Sequence, residues 1–149
     1  MSQLVLLNER QERKHVGVNF SEDQSIVEEC IGYTQLEVTL NCYLRPDRWD
    51  ELPPLPVLKC EGCEVFLVSS QTGLVTDIPG IKRIRSLQSF RRMEMLCQPG
   101  SHIKSTIDCF TRPGSVQMTN NDGSLLEKDY NYIRSLEVNG DLFDVVEEV

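Results

Sequence analysis

The chain has 149 residues, with 15 Lys plus Arg against 23 Asp plus Glu and a formal charge of −8. Its 40% hydrophobic and 26% charged residues exclude a disordered chain and a membrane-embedded one, and the length suits one domain with one core over residues 1–149. So anionic a chain is a poor global partner for nucleic acid or an acidic membrane, unless cations are concentrated locally.

Gln3 to Asn8 and His15 to Phe20 read as two short strands on either side of the charged stretch Glu9 to Lys14. The first run, Leu4 to Leu7, is too short for a signal-peptide core, and no apolar run nears the ~20 residues of a membrane span. An intracellular, cytoplasmic protein that is not secreted and has no transmembrane segment is therefore expected, with the nucleus left open as a second compartment, its six cysteines kept as thiols and the Asn19-Phe20-Ser21 sequon silent. Ser21 to Gln24 matches a capping box that opens a short helix over 22–31, which Gly32 stops.

Leu36, Val38, Leu40, Cys42 and Leu44 alternate with more polar residues, and this period of two predicts a half-buried strand with those five side chains in the core. Four of the seven prolines then fall between Pro46 and Pro56, which predicts an extended connector over 45–56. Within it, Pro53, Pro54, Leu55 and Pro56 form a Pro-Pro-Leu-Pro segment that resembles the ligands of one class of WW domain. A rigid connector over a core edge is the plainer reading of the same residues.

Val57 to Leu58 and Glu64 to Val68 read as strands flanking Cys60-Glu61-Gly62-Cys63. Two cysteines at this spacing with a glycine between them suit a zinc knuckle, and zinc needs two further ligands. Cys97 and His102 are the candidates, with Cys109 as a substitute. The plainer reading is a tight turn with free thiols and a core cysteine.

Between Ile81 and Leu96 apolar residues recur every third position, which drifts around a helix and predicts a short helix over 81–90 passing into a strand in which Met93, Met95 and Cys97 alternate. Lys82, Arg83, Arg85, Arg91, Arg92 and Lys104 face only Glu94 between residues 78 and 107. Such a cationic stretch in an acidic chain suits an acidic protein surface or phosphates.

From Pro99 the pattern is that of hairpins. Ile103, Ser105, Ile107 and Cys109 alternate inward, a turn follows at 111–114, and Val116 and Met118 begin the return. Asn121-Asp122-Gly123 and Asn139-Gly140 predict two further tight turns, the second pairing Leu136 with Phe143. Residues 144–149 close the sequence as an acidic tail, whose final carboxylate has the shape taken up by PDZ domains.

These features sum to a mainly β (β-rich α+β) domain of antiparallel hairpins, sandwich-like or a partly closed barrel, with one or two short helices. No phosphate loop, nucleophile elbow or zinc-protease motif is present, and only His15 and His102 are available as imidazole bases. The expectation is a non-enzymatic adaptor or regulator that meets a protein partner, a general character shared with viral accessory or matrix-like proteins. The alternatives are a zinc-stabilised nucleic-acid-binding regulator using the 82–92 segment and an enzyme with a Cys-His site.

Overall fold

The computed structural model describes residues 25–53 and 55–146. The two strands expected before residue 21, the capping box, Pro54 and the last three residues of the acidic tail lie outside the described residues. Within them the protein is α+β, built on two three-stranded antiparallel sheets that close no barrel.

The first sheet has the order β1-β5-β3, from β1 (Glu61–Phe66), β5 (Gly114–Asn120) and β3 (Phe90–Met95). The second has the order β4-β2-β6, from β4 (His102–Ile103), β2 (Gly73–Asp77) and β6 (Asp144–Val146). Register sets the faces of the first sheet. Cys63 lies opposite Met118 and Val65 opposite Val116, and these side chains meet Val75 of β2, Leu142 and Phe143 in the main core. The helix α4 (Gly123–Asn139) covers this face with Leu126, Ile133 and Leu136, spaced for one side of a helix. Near its end, Arg134 Nη1 donates to Phe66 O at 3.2 Å and to Glu137 Oε2 at 2.7 Å, while Glu137 Oε1 accepts from Val68 N at 2.9 Å. Burial pushes the Glu137 carboxyl up, an effect only partly offset by hydrogen bonds from Arg134 and Val68.

Several expectations need correction. Residues 36–44 are not a strand but the helix α2 (Gln35–Leu44), with Thr34 Oγ1 accepting from Glu37 N at 3.0 Å. Among the described residues no strand pairs with this segment, and its backbone is satisfied locally by helical hydrogen bonds that the Thr34 cap opens. Leu36, Leu40, Cys42 and Leu44 are consequently exposed. Pro46 opens a 3-10 helix (Pro46–Glu51) instead of an extended connector, at a position where its missing N–H costs nothing. Val57 and Leu58 are exposed and outside any strand, while β1 starts at Glu61.

The short helix α3 (Gly80–Arg85) ends five residues early, and β3 carries Met93 and Met95 as expected. Only His102–Ile103 of the next expected strand pairs, leaving Ile107 and Cys109 exposed beside a turn in which the Asp108 carboxylate accepts from Phe110 N and Thr111 N. The hairpin expected around Asn139-Gly140, pairing Leu136 with Phe143, does not form, because the segment before that turn is α4. Asp122 is its N-cap, accepting from Ser124 N, and Gly140 closes it at φ +73°. Residues that tolerate turn geometry also cap helices, and here they do the latter.

Truncation of a fully buried residue of α4, Ile133→Ala, is expected to lower unfolding stability in urea by about 2–5 kcal/mol. Leu40→Ala, on the exposed face of α2, is expected to change it by no more than about 0.5 kcal/mol. Equal losses at the two sites would contradict this assignment of core and surface.

Candidate functional site

Between Ile31 and Cys60 the chain makes an excursion away from the core. It leaves at the end of α1 (Ser25–Ile31), where Gly32 adopts φ +88°, and it returns where Lys59 N donates to Cys30 O at 2.7 Å. The arm between these points contains α2 and the 3-10 helix, which pack on one another across a shallow cleft of about 210 Å3 lined by Val38, Asn41, Cys42, Trp49 and Leu52.

None of the ten residues of α2 is buried. On its outer side Leu36, Leu40, Tyr43 and Leu44 stand 61%, 49%, 83% and 73% exposed. Successive helical residues turn by 100°, so these four fall within an arc of about 100°, opposite the Val38 and Cys42 side that faces the 3-10 helix. Leu55, Val57 and Leu58 on the returning limb are exposed as well. The sequence contained this stripe, at spacings of four, seven and eight, hidden behind the more regular alternation of two.

At the neck of the arm α1 lies against the first sheet. Glu29 accepts from Arg91 Nε at 2.9 Å and from Thr119 Oγ1 at 2.8 Å. Burial pushes the Glu29 carboxyl up, but the hydrogen bonds from Arg91 and Thr119 and the charge of Arg91 hold it below the usual range. Beside it, Cys30 Sγ and Cys60 Sγ are 3.7 Å apart. Gly62 makes room for this contact, since a Cβ there would lie 2.6 Å from Cys30 Sγ.

The metal-ligand candidates are not brought together. Side chains alternate along β1, so Gly62 faces α1 while Cys63 faces the core, and Cys60 is drawn to Cys30 instead of joining Cys63. Cys97 follows β3 at the far end of the sheet, 3.7 Å from Pro113 O, whereas Cys63 sits opposite Met118. His102 belongs to the other sheet, opposite Leu74, and Cys109 is exposed. Among the described residues no group of three or more His, Cys, Asp or Glu side chains is arranged to hold a metal ion.

The structure divides the cationic segment. Lys82, Arg83 and Arg85 are exposed on α3, where Arg83 meets Asp141 at 3.7 Å. Arg91 and Arg92 are on β3, and a bulge between Phe90 and Arg92 turns Arg91 to Glu29 on the α1 side of the sheet. In the proline-rich segment Pro53, Leu55 and Pro56 are exposed, and Pro54 lies outside the described residues.

No protein-family model and no curated protein matches this sequence. Among solved structures the fold is similar to part of an L-amino acid ligase from Bacillus licheniformis, at 17% identity and a TM-score of 0.59 over 85% of this chain. The chain spans 29% of the length of that ligase. The likeness is one of fold.

Replacing Arg91 with Met is expected to lower stability at pH 7 by no more than about 1 kcal/mol, because the pair is part-exposed. A carboxyl held below its ordinary value in the folded state stabilises that state above the ordinary glutamate range and ceases to do so as pH falls through the depressed value. The difference between parent and Arg91→Met should therefore be full at neutral pH and vanish in acid. Urea titrations at a series of pH values, with Glu29 followed by carboxyl NMR, check this, and a pH-independent difference would contradict it.

Proposed function

We propose that this protein is a non-enzymatic interaction module that docks the outer face of α2 into an apolar groove on a folded protein partner. The observation that carries the reading is a helix that buries none of its residues yet aligns Leu36, Leu40, Tyr43 and Leu44 along one stripe. Eight of the fifteen exposed large hydrophobic residues among the described residues lie between Leu36 and Leu58, so apolar exposure there is concentrated on the arm. Anchors at i, i+4, i+7 and i+8 are what a helix offers to a hydrophobic groove.

Charge favours a protein groove over a bilayer. The only charge on α2 is that of Glu37, and an interfacial membrane helix relies on Lys and Arg along its polar face. Among the described residues no helix is long and apolar enough to cross a membrane. The likeness to part of a longer amino-acid ligase supports a modular role, since a unit of this shape there forms one part of a larger body. The activity in that protein's name belongs to the longer chain, and no reaction is proposed for this one. No zinc site is proposed, since Cys60, Cys63, Cys97 and His102 are not brought together, and phosphate binding by the 82–92 segment is less favoured than docking because Arg83 pairs with Asp141 and Arg91 with Glu29.

The test places a photo-crosslinking residue at Tyr43 in the native cell, identifies the crosslinked protein and measures binding between the two purified proteins. Leu40→Asp is expected to weaken that binding by about 100-fold, the loss typical of a central apolar anchor, while leaving the melting temperature unchanged. Binding unaffected by Leu40→Asp overturns the proposal. So does self-association through the same residues, seen as a concentration-dependent sedimentation coefficient, or preferential binding to anionic vesicles.

A further inference from the structure

The neck of the arm holds a chemistry that docking does not use. We infer that Cys30 and Cys60 are a site of reversible oxidation, at which a hydroperoxide converts the two thiols into an intramolecular disulfide that ties the arm shut at its base. The inference stands on the geometry of the neck and not on the docking reading.

The two sulfurs are in contact at 3.7 Å, against a bonded distance of about 2.05 Å. The main chains that carry them are already fixed together, by the 2.7 Å bond from Lys59 N to Cys30 O, and Cys60 Sγ also lies 3.7 Å from Glu29 O. Gly62 leaves the space in which Cys30 Sγ sits. Cys63, three residues from Cys60, points to the other face of the sheet and into the core, so the local sequence spacing does not decide the partner.

Exposure assigns the order of events. Cys60 is part-exposed and Cys30 is 1% exposed, so an oxidant reaches Cys60 first. The Cys60 thiol gives its proton to water and its sulfur attacks the peroxide oxygen; the O–O bond breaks, Cys60 becomes a sulfenic acid, and the departing alkoxide, or hydroxide from hydrogen peroxide, takes up that proton and leaves as an alcohol or as water. Cys30 sulfur then attacks Cys60 sulfur, the S–O bond breaks, and the departing hydroxide takes the Cys30 proton to leave as water. Two thiols are oxidised by two electrons and one peroxide is reduced. Burial, reinforced by the neighbouring Cys60, pushes the Cys30 thiol up to about 12, so Cys30 stays protonated and is not the sulfur that the oxidant meets.

Such a bond closes the whole excursion from residue 30 to residue 60, and its effect is greatest on the unfolded chain. The experiment treats the 149-residue chain with hydrogen peroxide, blocks remaining thiols and sequences the crosslinked peptides by mass spectrometry without reduction. The expected result is a Cys30–Cys60 link as the dominant product, with a rise in melting temperature of about 10 °C that dithiothreitol reverses. Cys60→Ser should abolish both the link and the rise, and being part-exposed it keeps the test decisive even if Cys30→Ser does not fold. A dominant Cys60–Cys63 or intermolecular link, oxidation of Cys60 that stops short of a disulfide, or a temperature rise that survives in Cys60→Ser would overturn the inference.

Discussion

Everything described here is arranged around β5. It is hydrogen-bonded along both edges, to β1 and to β3, and six of its seven residues are buried. Its two faces differ in kind. Val116 and Met118 present apolar surface, which α4 and the second sheet cover, while Ser115, Gln117 and Thr119 are polar and buried on the other face. A buried polar group that lacks a partner costs about 1–3 kcal/mol, so that second face is covered by elements that bring hydrogen bonds as well as carbon. At Thr119 the covering element is α1, with Glu29 accepting from the Thr119 hydroxyl. The neck of the arm is where it is because α1 must reach this strand.

The arm follows a different physical rule from the body that carries it. An isolated helix shorter than about 12–15 residues is marginal in water, and the ten residues of α2 gain no core burial. What holds the arm is local: the Thr34 cap, the packing of α2 on the 3-10 helix, and the closure of the two limbs at Lys59 and Cys30. Ordering a segment this way leaves its apolar stripe as free energy still to be gained on burial, at roughly 25 cal/mol per Å2 of apolar surface. The proposed docking would draw on that free energy, and a constraint at the neck would lower the entropy lost in fixing the arm against a partner.

Much of the body was legible in the sequence, and the reasons for the failures are specific. Val116 and Met118 are read as the start of a return strand and Met93 and Met95 as part of a strand, because a sheet with one apolar face imposes a period of two, and all four lie on β5 and β3. The same period misled at Leu36 to Leu44, where alternate apolar residues include a helical stripe as a subset and the segment forms a helix capped by Thr34. Asn121-Asp122-Gly123 and Asn139-Gly140 were recognised as sites of unusual backbone geometry, and Gly140 has it, but a left-handed glycine closes a helix as readily as a hairpin. The spacing of Leu126, Ile133 and Leu136 between those sites carried the missing information. At the candidate site, the pairing of Cys60 with Cys30 joins residues 30 positions apart, and neither the Cys60-Cys63 spacing nor any local pattern announces it. Its one trace in the sequence is Gly62, read as part of a knuckle and in fact the space occupied by Cys30.

The cationic segment shows how far charge counting goes. Composition alone finds cations clustered between residues 82 and 92, but a strand sends successive side chains to opposite faces, so Arg91 and Arg92 would ordinarily diverge. The bulge in β3 removes that constraint: Arg92 pairs in register with Gln117 on the polar side of the sheet, and Arg91 is turned to the same side to meet Glu29. The bulge is itself held by β5 and α4, with Ser89 N donating to the buried Asp129, Thr119 N donating to Ser89 O and Asn120 donating to the Ser89 hydroxyl. A clip on the backbone of one serine thus determines that Arg91 fastens α1 to the sheet, and with it the neck from which the arm departs.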